Sequence, residues 1–316
     1  MKPKQSPTDW PMLNWADWRE TAQHLHLMTQ IVGKVRLALT PWLNHGWHVP
    51  LYVTARGFGT SPITLEDRLL EIDFDFLRGE LVMTISDGSR EVVALLPGSI
   101  ASFHAAVIFA LEGLHVPAGF DGKPSEIPDA LPFAEDHAQR PYDAEAVQRF
   151  WRALIITDGV FKGFRTGFLG KASPTHFFWG SFDLASTRFS GRIAPRHSGG
   201  VPGLPDAVTC EAYSHEESSL GFWPGSDAYP HAAFYAYAYP APDGYALAAV
   251  EPSSAHFSAE LDEFILSYDD VRSSSDPRQA LLAFCQSTYN VAADLGNWDR
   301  GALECPLGVP RQPRKV

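Results

Sequence analysis

The chain has 316 residues, of which 45% are hydrophobic and 12% aromatic, and its formal net charge is −12. This apolar content supports a substantial folded core and argues against an intrinsically disordered chain. It also argues against nucleic acid or an anionic membrane surface as the main partner, because both are bound through basic surfaces.

The cysteines and the N-terminus indicate the compartment. Cys210, Cys285 and Cys305 are an odd number and lack the spacing of a metal site, as in a reduced intracellular protein. The N-terminal sequence MKPKQSPTDWPMLNW has no apolar segment of the signal-peptide type. Apolar runs also stay well below the roughly 20 residues that span a bilayer. We therefore expect a soluble, cytoplasmic protein.

The first half of the chain predicts a helix, four strands and a second helix. Apolar residues recur at helical spacing in 15–40 and again in 99–114. Between these helices, alternating patterns predict strands, and Arg-Gly and Asp-Gly turns join the last three into a meander. The four predicted strands are 47–59, 69–76, 79–86 and 90–96.

The second half follows a similar order. Residues 143–170 predict a long helix, and the segment HFFWGSFDLASTRFSG at 176–191 predicts a strand. Residues 192–230 are rich in Gly, Pro and Ser, which predicts long loops. The remaining predicted elements are strands at 233–240 and 258–269 and a helix at 277–295.

Several residues recur in the same order in both halves, which predicts an internal duplication. The alternative is two similar layouts that match by chance. Two sets of matches have constant offsets: Thr29, Val32 and Lys34 with Thr157, Val160 and Lys162, and Trp47, Arg56 and Gly59 with Trp179, Arg188 and Gly191. This alignment puts Asp183 where the first half has Leu51.

The predicted fold is α+β and consists of two similar α-β4-α units whose antiparallel sheets are covered by helices on one face. The first unit is 1–116, and the second is 143–305 with its long loops at 192–230. A Pro-, Gly- and Asp-rich linker, 117–142, connects them, and 306–316 is predicted to be a disordered tail.

Long segments of the chain resemble a bacterial family of proteins of about this length that is classed as a domain of unknown function. The resemblance is carried by HLHLMTQIVGKVRLAL, HVPLYVTARG, EIDFDF, SPTHFFWGSFDLASTRFSGR, EAYSHE, GFWPG and AFYAYAYP, and extends from about Trp10 to Leu303. It implies no reaction, cofactor or catalytic residue, so function must be inferred from the residues themselves.

Lysines on the two long helices are candidates for binding an anion. His26, Gln30 and Lys34 lie four residues apart and form one polar line, and Asp158 and Lys162 occupy the equivalent line of the second half. An ordinary surface ion pair explains Asp158 and Lys162. The functional alternative is that both lysines point into a cleft between the halves, toward an anionic ligand.

Arg56 and Arg188 occupy equivalent strand ends and form a second candidate anion site. Strand parity places Arg56 on one face with His48, beside acidic residues of the next strand, so a cross-strand Arg–Asp pair is the ordinary interpretation. The functional alternative is that the two arginines meet across a pseudo-twofold axis and hold a carboxylate or phosphate.

The candidates for catalysis are His176, Asp183, His215 and Glu216 in the second half. A buried carboxylate is costly unless paired or protonated, and such groups concentrate at functional sites. In the structural interpretation they form a salt bridge or a hydrogen-bonded loop anchor. In the functional interpretation one of them is a general base and another a general acid. His176, His215 and Glu216 are also a weak candidate set for a transition metal. No spacing supports that set, so no cofactor is predicted.

Tyrosines alternate with alanines in the predicted strand 233–240. Tyr235, Tyr237 and Tyr239 form a row on one face, and Trp179 adds to the aromatic supply. Such a row commonly belongs to a core or an interface, and alternatively binds a planar or sugar-like ligand.

These candidates predict a cytoplasmic enzyme that uses His and carboxylate acid–base chemistry, of hydrolase or lyase type, on a small anionic or aromatic metabolite in a cleft between the halves. Two alternatives remain open: a non-catalytic binding or sensor protein, and a metal-dependent enzyme with a His/His/carboxylate site. The phosphate-binding GxxxxGK[ST], the GxGxxG fingerprint and the GxSxG elbow are not found.

Overall fold

A computed structural model describes residues 10–117 and 119–314 of the protein. The α-helices are α1 (Trp15–Leu39), α2 (Ile100–Gly113), α3 (Ala144–Arg165), α4 (Asp206–Ala212), α5 (Tyr268–Ser273), α6 (Pro277–Leu295) and α7 (Arg300–Leu303). The strands are β1 (Tyr52–Val53), β2 (Gly57–Gly59), β3 (Ile63–Leu65), β4 (Arg68–Asp75), β5 (Glu80–Ile85), β6 (Arg90–Ala94), β7 (His176–Phe178), β8 (Asp183–Ile193), β9 (His215–Trp223), β10 (Ala233–Tyr239), β11 (His256–Ser258) and β12 (Glu263–Ser267).

The four long helices form where the sequence predicts them, because local signals define both their ends and their buried faces. The apolar stripe of α1, from Leu25 to Val35, is buried. Side-chain oxygens of Ser99, Asp143 and Asp276 accept hydrogen bonds from the first free backbone N–H groups of α2, α3 and α6.

Sheet 1 is antiparallel, with the strand order β1-β2-β4-β5-β6 and β3 paired to β4. The predicted meander is confirmed, with its turns at Gly79 and Gly88, both of positive φ. The predicted strand 47–59 is wrong as one element, because it divides into the hairpin β1–β2. The hydroxyl of Thr54 accepts hydrogen bonds from the N–H groups of Arg56 and Gly57 and closes the turn.

Sheet 2 is also antiparallel, with the order β11-β12-β10-β9-β8-β7. The predicted strand 176–191 divides into the hairpin β7–β8, which turns at Phe182 in the left-handed region, φ 60°. The predicted long loops at 192–230 are wrong in part, because α4 and the interior strand β9 lie within them. The sequence of β9, HEESSLGFW, places small and polar residues where apolar alternation would be expected.

The two sheets adjoin at their edge strands. Leu51, just before β1, and Phe177 of β7 exchange two backbone hydrogen bonds of 2.9 and 2.8 Å. The α+β class with two antiparallel sheets is thus confirmed. Asp183 lies in β8, one strand inside that edge, so the structure does not place it in the position of Leu51.

Helices cover one face of each sheet. On sheet 1, α1 contacts β3 and α2 contacts β6, while Glu71 and Val92, which share the face opposite the buried residues of β4 and β5, are exposed. On sheet 2, α3 and α6 cover one face. No helix in the described part of the chain is long and apolar enough to cross a membrane.

Several residues between 119 and 142, within the predicted linker, pack against the rest of the protein. Phe133 is fully buried, and Ser125 and Asp136 are also buried. At the other end, the surface segment 306–314 contacts the end of α3, where the N–H of Gly308 donates to Thr166 Oγ1 over 2.8 Å. The tail residues 315 and 316 lie outside the described residues.

Candidate functional site

The face of sheet 2 turned away from α3 and α6 carries most of its polar side chains. Along β10, Phe234, Ala236 and Ala238 are buried in the core, so strand parity puts the alternate residues on the opposite face. We call this surface the tyrosine face; it comprises Tyr235, Tyr237 and Tyr239 of β10, Glu217, Ser219 and Gly221 of β9, and Asp183, Ala185, Thr187 and Phe189 of β8.

A glycine allows Tyr235 to reach across the sheet. Gly221 lies directly opposite Tyr235, and a Cβ at Gly221 would overlap the phenol ring. The ring therefore lies flat over β9 and carries its hydroxyl to β8, where it donates a hydrogen bond to Asp183 Oδ2. Ser181 Oγ donates to the other carboxylate oxygen, so both oxygens of Asp183 are engaged.

Two further carboxyl groups, Glu126 and Glu263, lie near enough to Asp183 to feel its charge, and we call the three the acidic end. Burial raises the pKa of Asp183. Burial, and then the charge of Asp183, raise the pKa of Glu126 and of Glu263 to about 7 each. Among the described residues none of the three forms an ion pair with a basic side chain. The acidic end is thus a concentration of carboxyl groups without a compensating cation.

Two loops partly cover the tyrosine face. Tyr213 lies 3.2 Å from Tyr237, oxygen to oxygen, and its ring stacks on His197. Tyr239 donates to the carbonyl of Pro195 over 3.0 Å. The loop that carries Glu126 is joined to this cover, because the N–H of Glu126 donates to the carbonyl of Pro202 over 2.9 Å. The phenols of β10 remain partly exposed between the loops.

At the end of the tyrosine face away from the acidic end lie four further residues, which we call the lysine end: Lys171, His45, Glu217 and His215. Lys171 Nζ contacts His45 Nε2, and the His45 and His215 ring centroids lie 5.5 Å apart. Burial raises the pKa of Glu217 to about 8, against the lowering effects of a hydrogen bond with Tyr237 and of the charge of Lys171. A protonatable carboxyl and an amine therefore lie on one surface with the tyrosines.

The predicted arginine pair is not brought together. Arg56 lies in the β1–β2 turn and its Nε donates to Asp75 over 2.6 Å, so the cross-strand pair forms in its place. Arg188 is buried on the helix-covered face, with its guanidinium 3.5 Å from the Phe164 ring centroid and its Nη2 donating to the Phe164 carbonyl. The predicted anion clamp is wrong because Arg56 is held at Asp75 in sheet 1, whereas Arg188 is buried under the helices of sheet 2.

The predicted lysine pair is likewise separated. Lys34 is buried against Trp179 and forms an ion pair with Asp121 at 2.9 Å. Lys162 is exposed and pairs with Asp158 at 2.6 Å, one helical turn away. Both ammonium groups already have carboxylate partners, so the structure gives no common lysine site for an anion.

Three further predicted ligand-binding residues have structural hydrogen bonds near α1. His26 Nε2–H donates to the Gly180 carbonyl over 2.9 Å, and Trp179 Nε1–H donates to the Val49 carbonyl over 2.9 Å. His48 Nδ1 accepts from the N–H of Leu43 over 3.2 Å. The first bond joins α1 to the β7–β8 turn and the other two join loop residues, so none of the three side chains is placed on the tyrosine face.

The predicted metal set does not converge. His215 and Glu216 are successive residues of β9 and point to opposite faces, and Glu216 accepts from Ser190 and Arg192. His176 is buried beside Trp47 and Tyr52, with neither ring nitrogen hydrogen-bonded. Within the described ranges, no three His, Cys, Asp or Glu side chains are arranged to hold a metal ion.

Of the predicted site residues, the structure thus brings Asp183, Tyr235 and Tyr237 together on the tyrosine face, and it places His215 at the lysine end. The residues that the sequence did not indicate are His45, Glu126, Lys171, Tyr213, Glu217 and Glu263. The parity of HEESSLGFW would have placed Glu217 with Ser219 and Gly221, had β9 been recognised as a strand. Glu126, Lys171 and His45 come from distant segments that carry no such pattern.

Comparison with known proteins identifies a family. Residues 10–305 match a family of unknown function, DUF5996. The chain belongs to this family. This confirms the resemblance seen in the sequence, and the match spans both sheets. No curated protein and no solved structure is significantly similar to the chain.

Proposed function

We propose that this DUF5996 member binds a small molecule on the tyrosine face and holds a positively charged group of that molecule, an amine or a guanidine, at the acidic end. The observation that supports this is the position of Asp183, Glu126 and Glu263. Among the described residues these carboxyl groups form no ion pair, the charge of Asp183 acts on both glutamates, and the pKa of each of the three is raised.

The charge of the site favours a cation over the anion expected from the sequence. Buried carboxylates without partners are costly to the folded state, and a bound cation would relieve that cost. The arginines and lysines that would have held an anion are engaged elsewhere. The tyrosine rings between the loops supply an aromatic surface, which also favours a cationic ligand.

The same groups support acid–base catalysis on the bound molecule. Asp183, which accepts hydrogen bonds from Tyr235 and Ser181, is oriented as a base. Glu126 and Glu263, whose pKa values are about 7, exchange protons readily at neutral pH. We therefore propose an acid–base enzyme without a cofactor, with Asp183 and one neighbouring glutamate as the proton-transferring pair.

Matched pairs of small ligands would test the charge preference. Benzylamine and benzoate have the same ring and opposite charges, as do butane-1,4-diamine and butanedioate. Isothermal titration calorimetry at pH 7.5 is expected to show binding of the amines, weakened about tenfold or more in Asp183→Asn. Asp270→Asn removes an exposed acid outside the site and should leave binding unchanged. Binding of the carboxylates in preference to the amines would contradict the proposal.

Catalysis needs a separate measurement. Amines that bind would be incubated with the protein and followed by mass spectrometry. Conversion of an amine by the wild type that is lost in the double variant Asp183→Asn/Glu263→Gln would support the enzyme. Tight binding of an amine whose mass stays unchanged would instead favour a sensor or carrier.

Two broader proposals have structural support. The three cysteines are unpaired, and Cys285 is buried, which supports a reducing, cytoplasmic location. Both halves contain a long helix, an antiparallel meander and a closing helix, and their edge strands β1 and β7 meet at Leu51 and Phe177, which supports an ancestral duplication.

We retain the proposal that nucleic acid is not a partner, because the net charge is −12.

A further inference from the structure

We propose that Lys171 is a nucleophile that forms an imine with an aldehyde or ketone at the lysine end of the tyrosine face. This activity goes beyond the amine site proposed above and does not depend on it, because the two ends use different residues.

The backbone places Lys171 in a row with Phe189 and Glu217. The N–H of Phe189 donates to the carbonyl of Lys171 over 3.0 Å, which adds residue 171 to the edge of β8. Glu217 lies opposite Phe189 on the other side of that strand. Residues in one such row share a face, so the amine and the carboxyl lie on either side of the Phe189 ring.

The surroundings of Lys171 shield its amine in part from water. Nζ lies 4.8 Å from the Phe189 ring centroid and 5.4 Å from that of Trp47. Burial lowers the pKa of the Lys171 ammonium, although the charges of Glu211 and Glu217 act in the opposite direction. A lysine of this kind is the usual imine-forming nucleophile in proteins.

His45 is oriented as the base for this amine. Its Nδ1–H donates to the Ala212 carbonyl over 2.7 Å, so the lone pair of Nε2 is directed at Lys171 Nζ. Burial lowers the pKa of His45, which favours the neutral imidazole. The backbone of His45 has φ 59°, in the left-handed region, and its N–H donates to Glu211 over 3.0 Å. Such strain in a non-glycine residue occurs preferentially at functional sites.

Glu217 supplies the acid. It is buried and its pKa is about 8, so it carries a proton at neutral pH. In the proposed reaction, His45 takes a proton from the Lys171 ammonium, and the amine nitrogen forms a bond to the carbonyl carbon while Glu217 protonates the carbonyl oxygen. The nitrogen then returns a proton to Glu217, giving a neutral carbinolamine. Protonated His45 gives its proton to the hydroxyl, the C–O bond breaks, and water leaves a protonated imine on Lys171.

The balance of this sequence is one ammonium and one carbonyl compound giving one protonated imine and one water. No oxidant or reductant is needed. The ligand class is a small aldehyde or ketone, and the neighbouring Tyr213 and Tyr237 favour one with an aromatic ring or hydroxyl groups.

Reductive trapping tests the proposal within the wild-type protein. Benzaldehyde and sodium cyanoborohydride at pH 7 convert an imine into a stable benzylamine that peptide mass spectrometry assigns to a residue. Lys162 is the internal control, because its side chain is 62% exposed. We expect Lys171 to be labelled at least about tenfold faster than Lys162. Acid–base groups accelerate a natural reaction by roughly 10²-fold, and benzaldehyde, which is not the natural ligand, should gain less.

Variants test the assigned roles. His45→Asn removes the imidazole and keeps a residue that tolerates left-handed backbone. Both His45→Asn and Glu217→Gln should slow labelling of Lys171 severalfold and leave Lys162 unchanged. Equal labelling of Lys171 and Lys162 in the wild type overturns the proposal, whether or not any variant folds. Fast labelling that persists in both variants overturns the roles of His45 and Glu217.

Discussion

Glu217 makes the stability of the protein depend on pH in a direction opposite to that of an ordinary salt-bridged acid. Its pKa rises to about 8 in the folded state, against 4.5 for a free glutamate, mainly because it is buried. The folded state therefore binds the proton more tightly than the unfolded state. The stability that this proton contributes is fully present below pH 4.5 and is lost as the pH rises through about 8.

The magnitude follows from the two pKa values. At about 1.36 kcal/mol per pKa unit, ionising Glu217 in the folded protein costs about 5 kcal/mol. Between about pH 5 and pH 8.5, the part lost is about 4 kcal/mol by linkage. Glu217→Gln cannot ionise, so the difference in unfolding free energy between variant and wild type should shift by about 4 kcal/mol in favour of the variant over this range.

Urea unfolding followed by tryptophan fluorescence at both pH values would measure this shift. Glu126 and Glu263, whose pKa values are also raised, make the stability of both proteins fall as the pH rises. Their effect is the same in variant and wild type and cancels in the difference. Glu260→Gln, which removes an exposed acid, is the control and should show no pH-dependent difference. If the difference in unfolding free energy between Glu217→Gln and wild type were the same at both pH values, the pKa of Glu217 would not be raised in the folded state.

Two further predictions concern packing and charge. Gly221→Ala places a Cβ in the volume of the Tyr235 ring and should lower the unfolding free energy by about 1–3 kcal/mol; in Gly122→Ala, where nothing lies within reach of the new Cβ, the change should stay within about 0.5 kcal/mol. Urea unfolding measures both, and equal effects would refute the proposed path of Tyr235 over β9. Asp121→Asn leaves the buried Lys34 ammonium without its carboxylate and should cost about 1–3 kcal/mol, whereas Lys162→Met breaks an exposed helix pair and should cost less than about 0.5 kcal/mol. Similar losses at neutral pH would contradict the distinction between the two lysines.

Prediction from sequence succeeded where the signal was local. The apolar stripe of α1 and the Gly79 and Gly88 turns, which the sequence predicted, are each set by a few neighbouring residues. It failed for β9, because the strand buries Glu217, Ser218 and Ser219, and their polarity is typical of a loop. It also failed for the arginine pair, because equivalence along the sequence does not show which face of a sheet a side chain occupies.

The sequence by itself determined the four long helices, most of the strands, the α+β class and the row of tyrosines, because hydrophobic period and turn residues act over short distances. Only the tertiary structure decided which charges meet. Glu126 reaches Asp183 from the segment predicted as a linker, and Lys171 reaches His45 from the other half of the chain. Such contacts depend on strand register and loop packing, in which a shift of one residue turns a side chain to the opposite face of the sheet.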